Sequence, residues 1–386
     1  MKTLTPGWVA LLYFSSFTVL GAVMPYLALD LRSRGLSGWP MAVAMGMLPL
    51  GRLVAGPAWS MLADRLQIHG WILRFATAMA MLGLLLASTV LGWWASLALL
   101  VMSVGRAPMA PVVDGMALQV LGSDRAAYGK LRRWGSFGFL VAVALVPILV
   151  DRLGIGQLTP GIVLACGLAL FTWFLPEPPP SPRRSILPAL KALVRIRSLQ
   201  WILAASALHF SAHVAATSFL AVHMDALSLA SWWAGAALAA GVTVEIAVMS
   251  VSGWLLHRFS AERIFLLAMG LAIVRWLLTT VADSGLALVL CQSLHGFTFG
   301  GFWIAGVSLV AARAPKAVET SAQGLLAAAV GGVGSMIGLV GASRVVELME
   351  TRWLFLCGAG IGVLALLCAA MGTRGGTDSP AGEPAR

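Results

Sequence analysis

The chain has 386 residues, of which 59% are hydrophobic and 11% are charged, and its formal net charge is +11. Soluble domains carry about 25% charged residues, so this composition excludes an ordinary water-soluble protein. The positive charge does not indicate a nucleic-acid partner, because Lys and Arg lie between apolar runs and form no polar face. We therefore expect the lipid bilayer to surround the chain.

Twelve apolar segments approach or exceed the about 20 residues that cross the hydrocarbon core of a bilayer. The first is too long for the about 7–15 apolar residues of a signal peptide. The sequence thus predicts an all-α membrane protein with 12 transmembrane helices. In chain order the predicted spans are 8–31, 39–62, 71–91, 93–118, 132–150, 160–175, 199–222, 231–256, 264–282, 285–312, 320–345 and 352–372.

Basic residues predict the orientation of these helices. With twelve spans both termini lie on the same side, and 18 of the 26 Lys and Arg residues fall in segments on that side, against five on the other. That count assigns Arg132 to a loop. Since positive loops stay in the cytoplasm, we expect both termini to be cytoplasmic in a bacterial inner membrane.

One Pro- and Arg-rich stretch, 176–198, interrupts the apolar runs near the middle of the chain. We interpret it as a cytoplasmic linker between two halves. The expected organisation is an N-terminal six-helix bundle over 1–175, a C-terminal six-helix bundle over 199–372, and a small polar tail over 373–386 that is disordered in the cytoplasm.

The two halves align weakly with each other at an offset of 193 residues. Trp39 then matches Trp232, and Arg52 matches Glu245, so a cation in one half takes the place of an anion in the other. Repeated halves are typical of secondary transporters, in which the substrate site lies between the halves near the membrane midplane.

Several ionisable residues fall near the middle of predicted spans, where a charge costs at least about 2.5–3.5 kcal/mol. Two readings stay open for each: a functional group, or a buried pair that fixes helix packing. The packing reading is favoured for Arg275 and Asp114. The full set is Arg52, Arg106, Asp114, Glu245, Arg275, His209, His213 and His295.

Among these residues, Glu245 is the candidate proton carrier, because burial in the membrane favours the protonated form of a carboxylate. His209 and His213 are one helical turn apart and share a face, so they are candidates for the same proton step. Arg52 and Arg106 stay charged, and each either grips an anionic substrate group or pairs with Glu245.

Other chemistry has no support in the sequence. It has no phosphate-binding GxxxxGK[ST] loop, no nucleophile elbow and no metal-ligand spacing. The four cysteines, at positions 166, 291, 357 and 368, lie singly within apolar runs. We therefore expect no enzyme activity, no cofactor and no metal.

The stretch Leu62-Ala63-Asp64-Arg65 after the second span is similar to the loop motif of the major facilitator superfamily. Other stretches resemble its branch of phenylpropionate permeases and nucleoside–proton symporters. They are Arg106-Ala107-Pro108 with Asp114, Tyr128-Gly129-Lys130 running to Gly138, Glu245, Arg275-Trp276, and His295-Gly296.

This resemblance implies the major facilitator fold, with two pseudo-symmetric six-helix bundles that alternate access around a central cavity. Helices 1, 4, 7 and 10 would line that cavity, and Asp64 and Arg65 would form a gating loop. Apolar walls would come from Tyr13, Phe14, Phe17, Phe302 and Trp303.

The hypothesis from the sequence is proton-coupled symport of a small organic solute, with an aromatic or other organic acid as a candidate. Its partners would be the small-molecule substrate and protons, and the protein would act as a monomer. Two alternatives remain: a proton-driven exporter of amphipathic compounds, and, more remotely, a membrane scaffold that transports nothing.

Overall fold

The computed structural model describes residues 4–36, 38–90, 92–122, 124–176, 186–230 and 232–374. Within those ranges the chain is almost wholly helical and contains no strand, which confirms the predicted all-α fold. Ten helical segments there are long and apolar enough to cross a membrane. The protein is therefore a multi-pass membrane protein, and the count of twelve crossings stays a prediction.

The chain forms two compact units, Met1–Arg183 and Arg184–Arg386. The helices of the first unit follow the predicted spans. They are α1 (Pro6–Ser33), α2 (Gly38–Leu66), α3 (His69–Thr89), α4 (Trp93–Arg106), α5 (Met109–Leu121), α6 (Tyr128–Leu153) and α7 (Thr159–Trp173). Helix α1 packs against α6 and α7, while α4 packs against α2 and α3.

The fourth predicted span is broken at Pro108, which separates α4 from α5. Proline has no N–H and its ring clashes with the preceding turn, so a helix stops or bends there. Arg106 is the last residue of α4. A cation is stabilised at a helix C-terminus, where the last carbonyls have no partner within the helix.

Two arginines satisfy carbonyl groups at other helix ends in this unit. Arg34 donates to the carbonyl oxygens of Ala87 (2.7 Å) and Val90 (3.1 Å) at the end of α3. Arg74 donates to those of Thr172 (3.2 Å) and Leu175 (2.9 Å) at the end of α7. Such carbonyls have no intrahelical donor, so these contacts close the bundle.

The α- and π-helices of the second unit are α8 (Ile186–Arg195), α9 (Arg197–Ala226), α10 (Trp232–Ser250), α11 (Ser252–Arg258), α12 (Ala261–Val281), α13 (Gly285–Ser293), π1 (Gly296–Gly301), α14 (Phe302–Arg313), α15 (Glu319–Ala328), π2 (Ala329–Gly334), α16 (Ser335–Leu348) and α17 (Arg352–Arg374). Helix α17 packs against α9 and α12, and α10 packs against α13 and π1.

Two glycine-rich stretches of this unit wind as π-helix, a form that is rare and frequent at functional sites. The first, π1, packs against α10 through Gly296. A Cβ atom on Gly296 would lie 2.5 Å from the carbonyl carbon of Val244 and 2.6 Å from the amide nitrogen of Glu245. Only glycine therefore allows π1 to approach α10 this closely.

Two boundaries differ from the sequence prediction. Helix α6 begins at Tyr128, so Arg132 lies within a helix and not in a loop. The side chain of Arg132 is 4% exposed, because aromatic rings and a carboxylate surround it in place of water. Helix α8 occupies part of the predicted linker, and residues 177–185 and 375–386 lie outside the described residues.

Candidate functional site

In the second unit, α10, α12 and the end of α13 bring three sequence-predicted residues together. The Nε2 atom of His295 lies 3.2 Å from Oε2 of Glu245. The Nδ1 atom of the same ring lies 3.5 Å from Nη1 of Arg275. Glu245 and Arg275 are 4% and 1% exposed, so His295 bridges a buried anion and a buried cation.

The contacts of His295 fix its tautomer. An arginine N–H can only donate, so Nδ1 of His295 must be the acceptor in the contact with Arg275. The neutral ring then carries its proton on Nε2, which donates to the Glu245 carboxylate. A second proton on His295 would set an N–H against the guanidinium. Glu245 is therefore the member of this cluster that can accept a proton without breaking the contact.

The remaining partners of Arg275 are neutral. Its Nε donates to Oε1 of Gln292 at 3.2 Å, and Nη2 donates to the same oxygen. Its Nη1 donates to Oγ1 of Thr298 at 3.2 Å. The guanidinium also lies over the ring of Trp276, with Cζ 4.3 Å from the centroid. Among the described residues, its positive charge is thus compensated through His295, which contacts Glu245.

The two histidines of α9 lie beside this cluster. His209 donates from Nε2 to the carbonyl oxygen of Thr298 at 2.9 Å. The ring of His213 lies 5.0 Å from that of His295 and 5.3 Å from that of Phe299, between centroids. The rings of His213, His295 and Phe299 form an aromatic wall. Among the described residues, Nδ1 of His213 has no hydrogen-bond partner.

In the first unit, Asp114 forms the centre of a second polar cluster. The hydroxyls of Tyr13 and Tyr128 both donate to its Oδ1 atom, from Tyr128 at 2.7 Å. Arg132 lies within electrostatic range of this carboxylate. The guanidinium of Arg132 also lies 4.1 Å above the ring of Phe17. The cluster thus places a buried carboxylate near a buried guanidinium within the first unit.

Arg52 and Arg106 lie within electrostatic range of each other in the first unit. In the part of the chain that the structure describes, neither has a hydrogen bond or a carboxylate within ion-pair distance. Arg106 lines a cavity of about 30 Å³ with the hydroxyl residues Ser16 and Thr77 and otherwise apolar side chains. Among the described residues, these two adjacent cations therefore have no carboxylate partner.

The five residues predicted to line the cavity differ in how exposed their side chains are. Tyr13 and Phe302 are at most 1% exposed, so neither lines an open cavity in this structure. Phe302 packs between the rings of His209 and Phe265. Phe14 and Phe17 keep partial exposure, and Trp303 extends the aromatic wall, 6.1 Å from the ring of Phe299.

The two predicted gating residues differ in exposure, since Asp64 is buried and Arg65 is not. Asp64 is buried at the end of α2, with Oδ1 3.7 Å from Nε2 of His69, the first residue of α3. Arg65 is exposed. The carboxylate therefore joins two consecutive helices, while the arginine extends away from the contact.

Sequence reasoning missed several members of both clusters. Gln292 lies one helical turn before His295, and Thr298 three residues after it, so i±3 spacing around the histidine would have found both. Arg132 lies one turn after Tyr128 on α6 and would have been found in the same way. No group of three His, Cys, Asp or Glu residues in the described ranges could hold a metal ion.

The fold and the buried charges together identify the class of protein to which this chain belongs. Many transmembrane helices in two units, with ionisable residues buried in their interior, are the architecture of a secondary transporter. The family model described as the MFS_1 like family matches residues 7–357, and the chain belongs to this family. It is therefore a membrane transporter for small molecules and not an enzyme.

Relatives of similar length support the assignment. The chain is 26% identical over 321 residues to the "Probable 3-phenylpropionic acid transporter" of Escherichia coli K12, covering 79% of this chain and 82% of the relative. It is 27% identical over 341 residues to the "Maltose permease" of Geobacillus stearothermophilus, covering 86% and 85%.

Solved structures agree on the fold. The human organic anion transporter MFSD10 superposes with a TM-score of 0.78 at 16% identity, covering 95% of this chain and 98% of that one. A variant of the E. coli fucose:proton symporter FucP superposes with a TM-score of 0.75 at 14% identity, covering 96% and 98%. These likenesses confirm the major facilitator fold that the sequence predicted.

Proposed function

We propose that this secondary transporter is a proton-coupled symporter of a small organic acid. The observation that carries the proposal is the buried contact between Glu245 and His295, which is connected to Arg275. The bacterial inner membrane, cytoplasmic termini and a monomeric state belong to the same proposal. The location and the orientation rest on the basic residues counted in the sequence.

The proton step follows from the charge of this cluster. With Glu245 ionised, the cluster holds one anion and one cation and is formally neutral. With Glu245 protonated, Arg275 is left as an uncompensated cation inside the membrane, which is energetically costly. A bound substrate anion would lower that cost through its electric field, without direct contact with Arg275. Proton binding and anion binding therefore favour each other, as symport requires.

The substrate class is supported by the first unit. Arg52 and Arg106 are two nearby cations without a carboxylate partner among the described residues. Guanidinium groups bind carboxylates with two parallel hydrogen bonds. We assign these two arginines to the anionic group of the substrate. Asp114 fits a positioning role in that unit, since Tyr13 and Tyr128 already satisfy one of its oxygens.

The aromatic wall of His213, His295 and Phe299 supports a substrate with a planar ring. The rings of His295 and Phe299 are nearly parallel, with an interplanar angle of 6° and centroids 5.2 Å apart. Aromatic rings prefer offset stacking at about 4.5–7 Å. One relative is named for 3-phenylpropionic acid, which combines a ring with a carboxylate. His209 and His213 remain candidates for the proton path.

Asp64 and Arg65 fit the proposed gating loop. The carboxylate of Asp64 contacts His69 across the turn between α2 and α3, which holds this loop in one conformation within the first unit. Exposed Arg65 at the same loop is available for contacts that change when the two bundles move in alternating access.

The test uses purified protein in liposomes with an imposed pH gradient and labelled 3-phenylpropionate. Uptake into protein-free liposomes is subtracted, because a weak acid crosses lipid in its neutral form. We expect wild-type protein to accumulate the acid, and Glu245→Gln to lose accumulation while retaining exchange. The matched control is Glu347→Gln, an exposed residue paired with Arg344, which should leave uptake unchanged.

Two outcomes contradict the proposal. Accumulation by Glu245→Gln at the wild-type level would exclude the proton role of that residue. Efflux of amphipathic compounds driven by the opposite gradient, without uptake of any organic acid, would favour an exporter.

A further inference from the structure

A pocket of about 290 Å³ lies within the second unit, between α9, α10, α12 and α13. Its base is formed by Arg275, Gln292 and His295, and we name it the α9–α10 pocket. Ligand pockets commonly measure about 300–1,000 Å³, so this one fits a small molecule. It lies where α9 ends and α10 begins, toward the membrane face that the basic residues predict to be periplasmic.

The walls of the α9–α10 pocket are apolar and its rim is open. Leu220, Ala234 and Ala237 form the sides, and Gly241 leaves space near the base. At the rim, Leu238 is 41% exposed and Thr217 is also exposed. A ligand with a compact apolar body can therefore enter between α9 and α10.

The base of the pocket offers a buried cation that contacts its counter-charge, Glu245, only indirectly, through the ring of His295. Arg275 is almost fully buried, yet the groups that accept its hydrogen bonds, on Gln292, Thr298 and His295, are all neutral. Arginine has five N–H groups, and one of the two on Nη2 has no partner among the described residues. A buried positive charge next to a space of ligand size selects an anion.

We propose that the α9–α10 pocket is a second anion-binding site, which takes a small carboxylate with an apolar ring or chain. The carboxylate lies against Arg275 and Gln292, and the apolar body lies between α9 and α10. This site lies within the second unit, whereas Arg52 and Arg106 belong to the first. The inference rests on the proposed function only for the substrate class, since binding here requires no transport.

The site is coupled to Glu245 through His295. Neutralising Glu245 removes the negative charge nearest to Arg275, and the anion then meets a stronger positive field. The Glu245→Gln variant, which is always neutral, should therefore bind the carboxylate more tightly than the parent. Reciprocally, a bound anion favours the neutral form of Glu245.

The probe is benzoate, and its neutral isostere benzamide is the control ligand. All four native cysteines are replaced by alanine, and Thr217→Cys is introduced at the rim of the pocket. Ala230→Cys, in the exposed turn between α9 and α10, reports general thiol reactivity. At about pH 7.5 benzoate is fully ionised. The rate of maleimide labelling is measured in liposomes.

We expect benzoate at about ten times its Kd to slow labelling of Thr217→Cys about tenfold. Benzamide should give no protection, and Ala230→Cys should react at one rate throughout. Leu238→Trp, which adds bulk at the rim of the pocket, should abolish protection, as should Arg275→Gln. Leu277→Trp, an exposed position on α12 outside the pocket, should preserve it. Protection should be half-complete at a lower benzoate concentration in Glu245→Gln.

Equal protection by benzamide, protection that persists in Leu238→Trp, or failure of Thr217→Cys to react at all would overturn the proposed site. Weaker binding in Glu245→Gln would overturn its coupling to the proton. The uptake assay separates this inference from the proposed function. Protection without proton-driven uptake retains the site and rejects symport, whereas uptake without protection retains symport and rejects the site.

Discussion

Glu245 hydrogen-bonds His295 within the second unit, at 3.2 Å between Oε2 and Nε2. Because His295 accepts from Arg275 at its other nitrogen, the carboxylate and the guanidinium are joined through one neutral ring. This connection links the protonation state of a single acid to a buried cation, and it motivates the first prediction.

Replacing His295 with alanine should uncouple transport from the proton. Without the ring, Glu245 and Arg275 lose the group that joins them, and the two buried charges are no longer linked. We expect pH-driven accumulation of labelled acid to fall at least about tenfold, which corresponds to the about 1.4 kcal/mol of a strong hydrogen bond. His257→Ala, at an exposed position on α11, should transport normally. Normal accumulation by His295→Ala would contradict the role of the bridge.

The Gly296→Ala variant should be destabilised. The added Cβ would lie 2.5 Å from the backbone of Val244, and the helix backbone cannot yield as a flexible side chain can. Overpacking of this kind typically costs about 1–3 kcal/mol. Thermal unfolding in detergent measures the effect. Gly270→Ala, where no atom lies within 4 Å of the new Cβ, should match the wild type or exceed it.

Replacing Arg106, one of the two adjacent cations, should weaken binding of an organic anion without lowering the thermal stability of the protein. Arg52 and Arg106 repel each other, so Arg106→Gln should unfold at the wild-type temperature or above it while the Kd for an organic anion rises. Arg74→Gln should show the opposite pattern, because Arg74 satisfies carbonyl groups at the end of α7. An unchanged Kd for the anion in Arg106→Gln would reject the proposed role.

Asp114→Asn should impair transport indirectly, by disturbing the residues that surround the Asp114 carboxylate. The amide can accept from Tyr13 and Tyr128 but removes the negative charge beside Arg132. A buried cation left without its counter-charge typically costs about 3–5 kcal/mol. We expect a lower Tm and slower uptake. Asp124→Asn, exposed in the turn before α6, is the matched control and should change neither measurement.

Much of the fold could be predicted because hydropathy is a local property. Each predicted span coincides with one helix or with consecutive helical segments, as where Pro108 separates α4 from α5. The ionisable residues within apolar runs were equally evident, since any charge at membrane depth is exceptional. Arg132 escaped notice because it adjoins Lys130 and Arg133 and looks like part of a loop.

The partners of the buried charges could not be predicted in the same way. The offset between the halves related Arg52 to Glu245, but within the second unit Glu245 bonds His295, which lies 50 residues further along the chain. Which side chains meet depends on how each helix is rotated and how closely its neighbours approach. That approach depends on contacts such as Gly296 against Val244.

The sequence by itself indicated that this protein resides in a membrane and that it carries ionisable groups within apolar segments, and it predicted a division into two repeated halves. Those properties follow from the order of apolar and charged residues alone. Only the tertiary structure decided that His295 joins Glu245 to Arg275, that Arg132 lies beside Asp114, and that a pocket opens next to Arg275. The reason is physical: contacts between helices depend on three-dimensional packing, which no local pattern encodes.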